Sequence, residues 1–206
     1  MEIELKYILE SEDDVDRIFS DSFIRSITDE NSEEEDDYRA VYYDTEDRRF
    51  SRENMVFRLR QEGRRCFATL KWNGSSESGF HQREEINVPV ADPGDIANPT
   101  VEVFSQSQMI GELRKLLGDR KLIPVMEMRF RRRQMRLDTG KSICELSADI
   151  GRIICGGKTA PVSELELELY SGSREDMEAL GAKISSKFGL KPGEKSKFRQ
   201  GLDLLD

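Results

Sequence analysis

Fully ionised side chains recur at every second position in seven stretches of this chain, each time opposite apolar ones. Glu2, Glu4 and Lys6 alternate with Ile3, Leu5 and Tyr7, and Arg58 and Arg60 with Phe57 and Leu59. Lys71 stands between Leu70 and Trp72, while Arg83 and Glu85 oppose Ile86 and Val88. Glu127, Arg129, Arg131 and Arg133 oppose Met126, Met128 and Phe130. Glu145 and Asp149 oppose Leu146 and Ile150; Glu164, Glu166 and Glu168 oppose Leu165, Leu167 and Leu169. An ordinary half-buried strand alternates apolar with mixed polar residues. Clustered arginines and lysines suit phosphate oxygens, arginine through its forked donors. Clustered carboxylates suit hard divalent cations, which take oxygen ligands.

With Lys197 of the terminal Lys195-Ser196-Lys197 added, these faces carry nine acids and nine bases. On one strand such a face reads as a solvated outer wall. Across seven strands the apolar faces need cover, and the charged faces point either to bulk water from an open sheet or inward at one another. Closing the sheet removes unpaired edges and turns the charged faces into the lining of a tunnel, and closure is the favoured reading. Buried charges persist when paired, hydrogen-bonded or bound to ions, and an apolar filling is usually the more stable choice. The lining therefore implies a highly charged ligand. A polyphosphate carrying Mg²⁺ or Mn²⁺ satisfies both halves.

Three amphipathic helices can cover the apolar faces. Asp13 to Ile27, Met109 to Leu117 and Arg174 to Phe188 each carry one apolar stripe at helical spacing. Period-two alternation predicts strands over 2–9, 38–44, 54–61, 65–72, 81–90, 125–137, 142–149, 151–155 and 163–170. Short connections such as Glu62-Gly63-Arg64 and Asp138-Thr139-Gly140-Lys141 imply antiparallel pairing. The acidic run from Glu33 to Asp37 reads as a solvated loop, and Ala91 to Gln108, with Pro93, Gly94 and Pro99, as a connector.

The 206 residues are 36% hydrophobic and 35% charged, with a formal net charge of −9, which argues against non-specific nucleic-acid binding. No apolar run approaches the ~20 residues of a membrane span, and the N-terminus lacks a signal-peptide pattern. Cys66, Cys144 and Cys155 are scattered and odd in number, as thiols of a reducing compartment would be. A cytoplasmic location is expected. A homodimer stays open.

Glu2-Ile3-Glu4-Leu5-Lys6 is an ExExK pattern and resembles the signature of the CYTH superfamily of triphosphate tunnel metalloenzymes. In the family's order follow Tyr42-Tyr43-Asp44-Thr45, Phe57-Arg58-Leu59-Arg60, Thr69-Leu70-Lys71 and His81-Gln82-Arg83-Glu84-Glu85. The run from Ser163 to Leu169 and Lys195-Ser196-Lys197 complete the resemblance, which looks most like bacterial inorganic triphosphatases. It implies an α+β chain in which residues 1–206 form one domain, a closed eight-stranded antiparallel β-barrel with helices packed outside. It further implies metal-dependent hydrolysis of the terminal phosphoanhydride of a triphosphate, inorganic triphosphate above others. Glu2, Glu4, Lys6, Lys71 and Glu166 would form the catalytic set. Glu2, Glu4, Glu164, Glu166 and Glu168 would hold Mg²⁺ or Mn²⁺, with Glu85 and Asp149 as further candidate ligands. Lys6, Arg58, Arg60, Lys71, Arg83, Arg129, Arg131 and Lys197 would clamp the triphosphate, with Arg133 and Lys195 at the margin of that set. The helical-bundle CHAD domain that follows many inorganic triphosphatases of the family is not among these residues, which weighs against polyphosphate-linked roles.

Two patterns are decoys. Cys155-Gly156-Gly157-Lys158-Thr159 ends like a nucleotide-binding P-loop, but Arg152 stands where its first glycine belongs and Pro161 blocks the helix that should follow, so a hairpin turn is expected. His81, the one histidine, has no nucleophile-elbow motif beside it and reads as a polar residue at a strand entry. Thiamine triphosphatase, class IV-type adenylate cyclase and a non-catalytic polyphosphate- or nucleotide-binding module remain as alternatives.

Overall fold

The computed structural model describes residues 1–205. All seven charged-face stretches lie in strands: β1 (Glu2–Ile8), β3 (Val56–Glu62), β4 (Arg65–Glu77), β5 (Phe80–Pro89), β6 (Ile123–Asp138), β7 (Ser142–Cys155) and β8 (Lys158–Gly172), with β2 (Glu34–Asp44) between the first two. These strands pair antiparallel in the order β5-β4-β3-β2-β6-β7-β8-β1, and β1 pairs again with β5. The barrel is closed, so no long strand is left with an open edge. A two-residue β9 (Lys191–Pro192) adds beside the end of β1.

Two expected segments, 142–149 and 151–155, are one strand. Gly151 joins them at a point where a Cβ would lie 2.2 Å from the carbonyl oxygen of Arg129, so the strand continues because that side chain is absent. The β7–β8 turn is Gly156-Gly157, both at positive φ (56° and 78°), the hairpin expected in place of a P-loop. The acidic run is not a free loop, because β2 begins at Glu34 and runs along β6. Arginines on the facing strand explain the difference. Glu35, Asp36 and Asp37 stand opposite Arg133, Arg132 and Arg131 of β6, and just before the strand Glu33 meets Arg133 at 2.6 Å, which lets a carboxylate-rich segment pair as a strand.

The helices are α1 (Asp13–Phe19), α2 (Ser22–Ser26), α3 (Arg49–Arg52), α4 (Pro93–Ala97), α5 (Ile110–Leu117), α6 (Arg174–Phe188) and α7 (Lys197–Leu202), with a 3-10 turn at Val101–Phe104. The expected helix from Asp13 to Ile27 breaks in two because Asp21 caps a new helix, accepting from the amides of Phe23 and Ile24. Asp44, fully buried, organises the corner before α3 by accepting from the amides of Thr45, Phe50 and Ser51.

Apolar packing falls into three clusters. Against the outer faces of β1, β7 and β8, Phe19, Ile24, Met177 and Ile184 of α1, α2 and α6 cover Leu146, Leu165 and Leu167. On the other side Phe50, Phe104 and Leu113 cover Phe57, Leu59 and Leu70, with the Phe57 and Phe104 rings edge to face at 5.4 Å. The third cluster joins Tyr42, Met126, Met128, Phe130, Ile153 and Val162 to Phe198 after the start of α7. There Gly201 of α7 sits so close to β6 that a Cβ would come within 1.9 Å of the Met126 sulfur. No helix among the described residues is long and apolar enough to cross a membrane.

Candidate active site

Eight acids and eight bases converge on a central cavity of about 390 Å³: Glu2, Glu4, Glu62, Glu85, Glu145, Asp149, Glu166 and Glu168 against Lys6, Arg58, Arg60, Arg65, Lys71, Arg83, Arg132 and Lys197. Period-two geometry accounts for the convergence, since alternate residues of β1, β3, β5 and β8 point inward while their neighbours pack under the helices.

One group of charges is centred on two amines. Lys6 Nζ lies 3.0 Å from Glu166, 3.3 Å from Glu164 and 3.8 Å from Glu4. Lys197 Nζ, carried in at the first turn of α7, lies 2.6 Å from Glu166 and 2.8 Å from both Asp149 and Glu164. Arg132 donates to both oxygens of Asp149 at 2.6 and 2.7 Å and to Glu166 at 2.9 Å. Burial opposes the charge on each, but the opposite charges prevail: Asp149 is held below the usual carboxylate range by Arg132 and Lys197, and Glu166 well below it by Lys197, Lys6 and Arg132. Lys6 and Lys197 are correspondingly raised despite burial, by Glu164 and Glu166 for the first and by Asp149 and Glu164 for the second.

A second group surrounds Glu2. Lys71 contacts its two oxygens at 2.8 and 2.9 Å and also pairs with Glu85, while Arg83 reaches Glu2 at 3.0 Å and Glu4 at 2.9 Å. Burial disfavours the Glu85 charge, yet Lys71 and Arg58 hold its carboxyl at about 2.

Two features of the cavity lack internal compensation. Glu168 stands opposite Glu4 across the β1–β8 ladder and has no salt-bridge partner among the described residues. Burial and the adjacent charges of Glu2 and Glu4 push its carboxyl up to about 8. Arg58, with no carboxylate within salt-bridge distance among the described residues, and Arg60 each have a buried Nε without a hydrogen-bond partner. One buried acid wants a cation and the Arg58 guanidinium an anion, while Arg60 meets Glu62 at 2.6 Å through Nη2 and keeps only its Nε donor unsatisfied.

No three His, Cys or acidic side chains among the described residues are already drawn together as a metal cage, because lysines and arginines occupy most of the carboxylates. The donor set nevertheless fits a hard divalent cation. Glu2, Glu4 and Glu168 offer carboxylate oxygens with no competing thiol or imidazole ligand in the cavity lining.

Of the expected residues, Glu2, Glu4, Lys6, Arg58, Arg60, Lys71, Arg83, Glu85, Asp149, Glu166, Glu168 and Lys197 line the cavity, and Glu164 touches Lys6 and Lys197 from behind. Arg129, Arg131 and Arg133 do not; they lie on the outer face of β6. Arg129 pairs there with Glu127, likewise outside rather than in the lining, and Arg133 with Asp16 and Glu33. Arg131, at 54% exposure, has Glu12 and Glu35 at 3.7 Å. The physical cause is that β6 turns Met128 and Phe130 inward. Phe130 stacks on Tyr38 at 5.2 Å inside the barrel, so alternation delivers Arg132 to the cavity and its arginine neighbours to the surface. Lys195 is also outside, 63% exposed and bound to Asp203 at 2.7 Å, because the turn into α7 points Lys197 inward.

Arg132, Glu62, Arg65, Tyr38, Tyr42, Tyr170 and Phe198 are among the lining residues that sequence reasoning misses. A signal for Arg132 exists in the alternation itself: Met126, Met128 and Phe130 have one parity and Met135 and Leu137 the other, so β6 swaps which face is apolar partway along. His81 is the second residue of β5, at a strand entry as expected. It is 3% exposed on β5, with Nε2 2.8 Å from the Gly193 carbonyl. Burial, and secondarily Lys6 and Arg83, press its ring below the usual imidazole range against the pull of that hydrogen bond.

Comparison with known proteins agrees with this architecture. An inorganic triphosphatase of Haemophilus influenzae is 32% identical over 137 residues, 66% of this chain and 37% of that protein, so the chain spans well under half the length of that curated relative. A solved Hippeastrum structure, described as a cyclase-type protein with dominant triphosphatase activity, superposes with a TM-score of 0.70 at 19% identity, covering 96% of this chain and 93% of the other. The mimivirus capping-enzyme triphosphatase gives 0.51 at 13% identity, covering 89% and 87%. At those identities the structural likenesses speak to the fold. Residues 1–202 match the CYTH domain, and the chain belongs to that family.

Proposed function

We propose that this chain hydrolyses the terminal phosphoanhydride of a triphosphate inside the barrel, with inorganic triphosphate as the preferred substrate and Mg²⁺ or Mn²⁺ as the cofactor. One observation carries the reading. Buried, unpartnered guanidinium nitrogens of Arg58 and Arg60 share a cavity with Glu168, a carboxylate short of cations. A binding module for phosphate would need the bases alone, and the carboxylates speak for chemistry.

In this reading Arg58, Arg60, Arg83, Lys71, Arg132, Lys6 and Lys197 receive the phosphate oxygens and absorb the charge that shifts to them in the transition state. Glu2, Glu4 and Glu168 would hold the divalent cation, with Glu166, Glu164, Asp149 and Glu85 orienting the amines around it. When bound, the cation supplies charge neutralisation of phosphate oxygens and Lewis-acid assistance. The pairing of Lys6 and Lys197 with Glu164 and Glu166 keeps both amines charged and oriented before substrate arrives.

An aromatic part of the lining favours a second reading, an organic triphosphate such as a thiamine or nucleoside derivative. Tyr42 stacks on Phe198 at 5.4 Å, and a neighbouring pocket of about 300 Å³ contains Trp72, Met55 and Leu202. We take residues 1–206 as one working unit with a small-molecule partner. The three free thiols accord with a cytoplasmic setting.

The test is release of orthophosphate from tripolyphosphate, thiamine triphosphate and ATP, with no metal, Mg²⁺ or Mn²⁺, and with products identified. Metal-dependent release, fastest from tripolyphosphate, is the expected result. Tight binding without turnover of any combination would leave a binding module, and a cyclic product would make the chain a cyclase.

A further inference from the structure

The C-terminal strap, from β9 to the first turn of α7, delivers Lys197 to the two glutamates that also hold Lys6, and its anchoring is built around one residue. Gly193 at its centre donates its amide to the Lys6 carbonyl at 2.9 Å, and its own carbonyl faces His81 Nε2 at 2.8 Å. A carbonyl can only accept, so the ring carries its proton on Nε2 and donates. Neither strap nor hairpin has slack at this point. A Cβ on Gly193 would lie 2.8 Å from Lys6 Cγ, and one on Gly79 would lie 2.8 Å from the Lys6 carbonyl oxygen and 2.9 Å from Pro192. The Lys6 amide donates in turn to the Gly79 carbonyl at 2.8 Å. Ser76 adds a weaker tie from the same hairpin, donating to the Glu194 carbonyl at 3.2 Å.

Four residues after Gly193, Lys197 reaches Asp149, Glu164 and Glu166 within 2.8 Å. Among the described residues, His81 is the one side chain that is buried, ties the centre of the strap, and touches none of those carboxylates.

We propose that His81 is a positioning residue: its Nε2–H bond to the Gly193 carbonyl sets the strap so that the Lys197 ammonium stands on Glu164 and Glu166 in the triphosphate site. The proposal rests on the reading of the cavity as a triphosphate site, and deepens it. His81 acts through Lys197 and takes no proton from the substrate. Gln in its place can present an amide N–H where Nε2 stands, and Ala cannot.

The experiment compares the full chain with His81→Ala, His81→Gln, Lys197→Ala and the His81→Ala/Lys197→Ala double variant. Steady-state hydrolysis of tripolyphosphate with Mg²⁺ is measured alongside amide hydrogen exchange of the strap and the Tm of each protein. His81→Ala should raise KM about three- to tenfold with kcat within about twofold, the worth of one neutral hydrogen bond used in binding. His81→Gln should recover most of that rise. In the Lys197→Ala background the same change should add less than about twofold, the non-additivity expected of residues acting through one another. Equal effects of His81→Ala with and without Lys197, or a folded His81→Gln no better than His81→Ala, would overturn the proposal.

The exchange arm stands apart from activity. Faster exchange of the Gly193 amide in His81→Ala, at a Tm within a few degrees of the parent, supports the strap's anchoring even if no triphosphate is turned over. Unchanged exchange there overturns it. Should His81→Ala fail to fold, exchange and kinetics of His81→Gln decide, with near-parental values supporting the proposal and a loosened strap or a tenfold KM rise contradicting it.

Discussion

The two halves of the cavity wall solve the same geometric problem with opposite chemistry. Around β1, β5 and β8, inward positions are ionised and interlocked, as where Lys6 and Lys197 share Glu164 and Glu166. Around β2 and the first half of β6 they are aromatic or thioether, with Tyr38 on Phe130 and Tyr42 on Phe198. An apolar wall stabilises the barrel by burial and asks nothing of a ligand. A charged wall gives up stability that an apolar filling would provide, and it persists because function requires it. Arg58 and Arg60 belong to β3, between these halves, and their unpartnered nitrogens mark where the charged wall is incomplete without its ligand.

The contrast can be broken at several strengths. Glu4→Gln, on the charged wall, should lower kcat/KM for tripolyphosphate by about 10²–10³-fold while far-UV circular dichroism stays unchanged. A loss under about fivefold would remove Glu4 from the chemistry. Next in size is a matched pair on β6. Arg132→Met leaves Asp149 and Glu166 short of a buried partner and should destabilise by about 3–5 kcal/mol in urea unfolding. Arg131→Met, one residue away but exposed, should change stability by less than about 0.5 kcal/mol. A larger loss for Arg131→Met would mean that the strand is turned the other way, and similar values would remove the distinction between its two faces.

The aromatic half predicts a smaller effect. Phe130→Leu should lower stability by about 1–2 kcal/mol and leave turnover of inorganic triphosphate within about threefold. A larger kinetic loss would place the aromatic wall in the reaction.

The smallest effect belongs to the outer surface. Arg39, with Arg129 in support and against the effect of partial burial, holds Glu127 at about 2 in the folded protein, below its ordinary 4.5. A depressed acid contributes stability above its unfolded value, and that contribution fades as pH falls from about 4.5 toward 2. Glu127→Gln should therefore match the parent least well at pH 7, by well under about 1 kcal/mol since the pair is solvent-screened, and converge on it only as pH falls toward 2. A gap that widens toward low pH would reverse the assignment.

Much of this was readable because period-two alternation is a local property. On β1 the sequence Glu2-Ile3-Glu4-Leu5-Lys6 has one charged and one apolar set, and the helices took the apolar set as expected. β6 resisted the same logic. It presents Met128 and Phe130 inward and then Met135 and Leu137 outward, so two apolar sets of opposite parity compete and a three-arginine run at 131–133 hides which member is inside. Register decides it, through Asp149 on β7 directly opposite Arg132, and register is a long-range fact. The strap is similar. Lys195 and Lys197 look equivalent in sequence, but the cap at Ser196 and the seating of Gly201 on Met126 send one to solvent and the other to Glu166.

The most direct measurement is kcat/KM for Mg²⁺-dependent tripolyphosphate hydrolysis in Arg58→Gln beside Arg131→Gln, two arginines that sequence alone ranked together. With the charged faces converging on a triphosphate, Arg58→Gln should lose about 10²-fold and Arg131→Gln less than about twofold. Equal losses, or none in either, would contradict it.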